Sequence, residues 1–232
     1  MDSPGSAYWP GVGPVGGGSC PRTVSLAHRI WQTGYDKGHM PDPSSNGADR
    51  INCYALVTYI PGILGSFFDQ LRRDLEPNSL APRAHLTILP PRGLADGVDP
   101  RDAWSELQHK LRGFQPFRIE VGPAEVFPGT NVVYFSLQRG WDELQGLHTH
   151  LANGCLQFQE PFPYHPHITI AQKLTAAQAE LIRDAAQNRW DDLYRGPRQF
   201  AVESMCFVQN TSRDIWHDLA AIDFLDTAAV RR

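Results

Sequence analysis

The chain lacks the features that mark several large protein classes. Its four cysteines, Cys20, Cys53, Cys155 and Cys206, are far apart and form no C-x-x-C pair. That argues against a zinc ribbon and predicts reduced thiols in a cytoplasmic protein. No run approaches the roughly 18 consecutive apolar residues needed to cross a bilayer, so no membrane partner is expected. The N-terminus has no basic stretch followed by an apolar one, so a secretory signal peptide is not expected either. A basic excess is also missing: 21 Lys and Arg stand against 25 Asp and Glu, for a formal net charge of −4. Proteins that coat long nucleic acid carry a strong positive excess. Any nucleic-acid partner should therefore be an end or a nucleotide, with no extended coating.

What is present falls into three stretches. Residues 1–49 contain the run PGVGPVGGGS at 10–19 and the Pro/Ser-rich run at 41–47. Such composition cannot bury enough apolar surface to offset its chain entropy, so a mostly disordered tail is expected, with at most a helical turn or more at 23–35. Residues 50–226 form the expected folded domain, and 227–232 a short C-terminal tail. Within the domain, the run CYALVTYI at 53–60 reads as a strand. Pro61 opens a helix whose apolar stripe is Leu64, Phe67, Phe68, Leu71 and Leu75. Asp99 before Pro100 starts a second helix. Two strands are expected around the Pro128-Gly129-Thr130 turn, and a third helix ends near Asn153-Gly154. Thr175 and Gln178 form a capping box for a fourth. Two closing strands are expected at 200–209 and 215–224.

Two tetrapeptides stand out, His85-Leu86-Thr87-Ile88 and His167-Ile168-Thr169-Ile170. Each reads His, apolar, Thr, apolar. On a strand, alternate side chains share a face, so each His would lie beside its Thr with the apolar residues behind them. Each motif strand follows a helix, which gives the chain a rough internal repeat and predicts two lobes facing each other across a cleft. Two imidazoles and two hydroxyls can perform acid–base chemistry on a phosphate ester: one ring removes a proton from the attacking group, the other protonates the leaving alkoxide, and the hydroxyls hold non-bridging oxygens. Arg83 and Lys173 lie at strand-end positions of the same parity and are further candidates for gripping phosphate. Tyr134 and Phe207 are candidates for stacking a base, with core packing as their other reading. The pairs His148/His150 and His165/His167 invite a metal reading. Residues two apart on a helix do not share a face, however, and Pro166 interrupts the second pair. No metal and no cofactor is expected.

These paired motifs, with Pro166 just before the second, resemble the two-histidine (2H) phosphoesterase superfamily, in particular its 2′-5′ RNA ligase-like and cyclic phosphodiesterase branch. The resemblance covers about residues 51–224. It implies an α+β fold of two pseudo-symmetric lobes, with antiparallel sheets lining a central cleft and helices outside. It also implies hydrolysis of 2′,3′-cyclic phosphates or 2′-5′ linkages of RNA ends or small nucleotides, with His85 as general acid, His167 as general base, and Thr87 and Thr169 binding phosphate. The family often has a basic residue soon after the second motif, a role that would fall here to Lys173. A monomer is expected. The competing reading is a non-catalytic module that binds a nucleotide or RNA end in the same groove.

The division at residue 49 is directly testable. A protein lacking 1–49 should remain folded and keep its activity. An insoluble or inactive truncation would place the segment within the working fold.

Overall fold

The computed structural model describes residues 49–76 and 83–224. The expectations for the Gly/Pro-rich tail, for its helical turn at 23–35 and for the C-terminal tail at 227–232 fall outside the described residues. Within them the order is β1 (Arg50–Tyr59), α1 (Gly62–Leu75), β2 (His85–Arg92), α2 (Pro100–Lys110), β3 (Phe117–Val126), β4 (Val133–Arg139), α3 (Trp141–Leu151), β5 (Ile168–Ala171), α4 (Ala176–Asp192), β6 (Gln199–Val202), β7 (Ser204–Thr211) and β8 (Trp216–Asp223).

Local chemistry explains the helix starts. The Asp99 carboxylate accepts the Arg101 backbone N–H at 2.7 Å, with Pro100 in the first helical position of α2. Thr175 and Gln178 cap α4 reciprocally, as expected. Between β4 and α3 the chain turns at Gly140, with φ 92°. A Cβ there would lie 2.8 Å from the Arg118 carbonyl oxygen and closer still to the Ile119 side chain, so only glycine fits.

The strands form two four-stranded antiparallel sheets, β2-β1-β7-β8 and β5-β4-β3-β6. The fold is α+β, with each motif strand at a sheet edge. One expectation needs correction. The run at 200–209 is not one strand: Phe200 lies on β6 in the second sheet and Phe207 on β7 in the first. Alternating apolar residues run through both segments, so periodicity alone cannot reveal that the chain changes sheet at Glu203. The Glu203 carbonyl instead accepts the Phe224 N–H at 2.7 Å.

The helices bind the two halves together. α1 leads into β2 yet packs against β5; α3 leads to β5 yet packs against β2. The apolar residues of both halves merge into one core. At its centre, Phe68 of α1 meets Phe135 of β4 edge-on at 5.2 Å and stacks on Trp190 of α4 at 5.5 Å. A smaller cluster, Ala55, Val57, Cys206 and Val208, lies on the opposite side of the first sheet. The expectation of reduced thiols fails at Cys53, which is disulfide-bonded; Cys155 and Cys206 are free. None of the helices among the described residues is long and apolar enough to cross a membrane.

Phe68 is fully buried, so Phe68→Ala should cost about 3–5 kcal/mol by lost transfer energy and cavity formation. Denaturant unfolding followed by circular dichroism measures this. A loss under about 1 kcal/mol would mean that the junction is not a single packed core.

Candidate active site

The site is built from the edges of the two sheets. His85 is the first residue of β2, and His167 immediately precedes β5. The two strands touch one another. Behind them, Leu86, Ile88, Ile168 and Ile170 are buried in the common core, whereas His85, Thr87, His167 and Thr169 are half-buried. The alternation expected from the motifs is thus present in both strands.

Both imidazoles are held by the same local device. His85 Nδ1 lies 2.7 Å from the Arg83 carbonyl, and His167 Nδ1 lies 2.6 Å from the His165 carbonyl. A carbonyl can only accept, so each neutral ring carries its proton on Nδ1 and its lone pair on Nε2. The rings are half-exposed, yet enough protein surrounds them that water solvates a charge poorly. Loss of that solvation is the main reason both are pushed down to about 4. For His85 the buried Arg72 guanidinium adds to the effect and the Arg83 carbonyl opposes it. The His167 ring, close enough for charge repulsion, lowers it further. For His167 the His165 carbonyl favours the proton and the His165 ring disfavours it. Both rings are therefore neutral at neutral pH.

Each ring also has a tyrosine–carboxylate pair beside it. Tyr59 pairs with His85 across the β1–β2 ladder, and its ring stands edge-on to the imidazole at 6.5 Å. The Tyr59 hydroxyl donates to Asp218 on β8. In the other half, Tyr134 pairs with Thr169, stands edge-on to His167 at 5.4 Å, and donates to Glu125 at 2.9 Å. Burial and the neighbouring carboxylates push both phenols up, so they remain protonated donors. Phe127 stacks on Tyr134 at 3.9 Å and covers it.

The other candidates divide. Arg83 lies over the Tyr59 ring at 3.9 Å and 3.5 Å from Asp218, on the His85 side of the first sheet. Lys173 does not continue the strand alternation, because β5 ends at Ala171 and Lys173 takes φ 61°. It is exposed, and its charge lies near Glu76 at the end of α1. Phe207 is core, stacked on Tyr54 and Trp104. His148 and His150 diverge, to the carbonyls of Ile88 and Lys110. Among the described residues, no cluster of three or more His, Cys, Asp or Glu could hold a metal. Arg72 was missed by sequence reasoning. Its signal was its position four residues after Phe68, on the buried side of α1.

A family model described as the 2′-5′ RNA ligase superfamily matches residues 61–214, more than half of the chain. The chain belongs to that superfamily. A candidate phosphoesterase of Oceanobacillus iheyensis is 36% identical over 106 residues, covering 45% of this chain and 61% of the relative. The aligned part is thus about three fifths of that relative's length. A candidate phosphoesterase of Bacillus pumilus is 25% identical over 123 residues, covering 53% of this chain and 71% of the relative. Among solved structures, TT0787 of Thermus thermophilus has a TM-score of 0.53 at 16% identity, covering 74% of this chain and 97% of its own. E. coli LigT complexed with 3′-AMP has a TM-score of 0.51 at 17% identity, covering 77% and 99%. These structures establish the shared fold.

The histidine environment sets a pH dependence. A ring whose folded pKa is lowered takes up its proton only below its unfolded value. Stability should therefore fall as pH drops from about 6.5 toward 4, where the unfolded chain binds more protons. Free-enzyme kcat/KM should peak on the acid side of neutrality. A bound phosphate anion favours imidazolium, so kcat should peak at higher pH than kcat/KM. Coincident bells centred at neutral pH would show that the rings are not desolvated in the free protein.

Proposed function

We propose that this phosphoesterase-family protein is a metal-independent phosphodiesterase acting on 2′,3′-cyclic phosphates or 2′-5′ linkages of RNA ends or nucleotides. The observation that carries this reading is the pair of imidazoles from two sheets, each with Nδ1 engaged by the carbonyl two residues upstream. Each ring then has a single nitrogen left for proton transfer. The two motif strands touch one another, which supports both rings addressing one ligand. In hydrolysis His167 accepts the proton of the attacking water, and His85 protonates the departing ribose oxygen. The Arg72 field disfavours a proton on His85 and so promotes its donation. Thr87 and Thr169 donate hydrogen bonds to the non-bridging oxygens, and Arg83 meets a flanking phosphate at the rim. LigT bound to 3′-AMP supports a nucleotide-sized partner.

The test is a turnover screen over 2′,3′-cyclic nucleotides, 2′-5′ dinucleotides and cyclic-phosphate-ended RNA, with and without chelator. His85→Ala and His167→Ala should each lower turnover about 10²–10⁴-fold. The double variant should be little worse than the worse single, because both act on one transition state. Thr87→Val and Thr169→Val should each cost roughly 10–10³-fold, with little change in stability. Binding without turnover of any substrate would favour the non-catalytic module. Activity abolished by chelation would overturn the two-histidine scheme.

A further inference from the structure

The segment before the second motif is sewn along the whole first motif strand. At the far end of β2, the buried Arg92 side chain donates to the Pro90 and Leu156 carbonyls, each at 3.0 Å, and pairs with Glu160. In the middle, His148 of α3 donates from Nδ1 to the Ile88 carbonyl at 2.8 Å, with Nε2 3.5 Å from Glu160. Tyr164 stacks flat on the His148 ring at 4.0 Å and donates its hydroxyl to the backbone carbonyl of Thr87 at 2.8 Å. Gln145 in turn donates to the Tyr164 carbonyl at 2.8 Å.

The Tyr164–Thr87 bond has a particular consequence. Thr87 belongs to the first motif, and Tyr164 is three residues before His167. The residue after Tyr164 is His165, whose carbonyl orients the His167 ring. Between His165 and His167 lies Pro166, whose ring fixes φ and restricts the residue before it. A displacement of Tyr164 is therefore passed stiffly to His167. No backbone ladder joins β2 to β5, so such side-chain ties set the spacing of the two motifs.

We propose that the Tyr164 hydroxyl is a positioning group that clasps the two motif strands and fixes the His167 imidazole relative to Thr87. Its catalytic consequence rests on the function proposed above; its structural consequence does not. A misplacement of about 1 Å at a reacting group can cost on the order of 10²-fold in rate. Tyr164→Phe keeps the stacking on His148 and deletes only the hydroxyl. It should lower kcat by about 10–100-fold with KM changed little. In a His167→Ala background the same substitution should cost nothing further, because the group it positions is gone. Histidine titration by NMR reads the clasp without any substrate. In Tyr164→Phe the His167 ring should titrate closer to its ordinary value near 6.5 as water enters, with His85 unmoved. If the parent protein turns over no substrate, the proposed function fails and the titration alone decides the clasp. Should Tyr164→Phe not fold, Gln145→Ala loosens the same residue from outside the core and should shift both readouts in the same direction, by less. A folded Tyr164→Phe with unchanged kcat and unchanged His167 titration would overturn the proposal. So would an equal loss in the His167→Ala background, or an unresponsive Gln145→Ala.

Discussion

Each half of the molecule packs its connecting helix against the motif strand of the other half. α1 connects β1 to β2 but packs against β5, and α3 connects β4 to β5 but packs against β2. The two motif strands are sheet edges with no ladder between them. Their spacing is therefore a property of side-chain packing, centred on Phe68, Phe135 and Trp190, and of the polar ties that Tyr164, His148 and Arg92 make along β2. Close packing makes such a junction stiff, because a filled core has no continuous range of alternative arrangements.

The same burial sets the electrostatics of the cleft. Both imidazoles are poorly hydrated, and the Arg72 charge further disfavours a proton on His85. Asp218 and Glu125 take hydrogen bonds from Tyr59 and Tyr134 rather than from the histidines. The two imidazoles therefore carry no positive charge near neutral pH. Under the proposed function, an anionic substrate would supply the negative field that makes imidazolium favourable, linking binding to protonation.

Much of this arrangement was legible along the chain. The His-x-Thr alternation, the helix caps at Asp99 and Thr175, and the strand–helix repeat are local signals, set by neighbours within a few residues. They place His85, Thr87, His167 and Thr169 in half-buried positions with Leu86, Ile88, Ile168 and Ile170 behind them. What failed was non-local or depended on an irregular backbone. The strand at 200–209 divides between sheets at Glu203, a choice of partners that alternation cannot express. Lys173 departs from strand parity because the chain adopts a left-handed conformation there. Cys53 takes part in a disulfide that spacing did not announce.

The sequence by itself determined which residues form the two motifs, which side of each strand is apolar, and which family the chain resembles, because period-two alternation and capping are written in consecutive residues. Only the tertiary structure decided that the Arg72 charge acts on His85, that Tyr59 stands edge-on to one imidazole and Tyr134 to the other, and that Tyr164 reaches the backbone of Thr87. It also decided that both histidines are neutral near neutral pH. The physical reason is that a pKa, and the distance between two edge strands, depend on everything packed around a group, and most of that packing comes from distant parts of the chain.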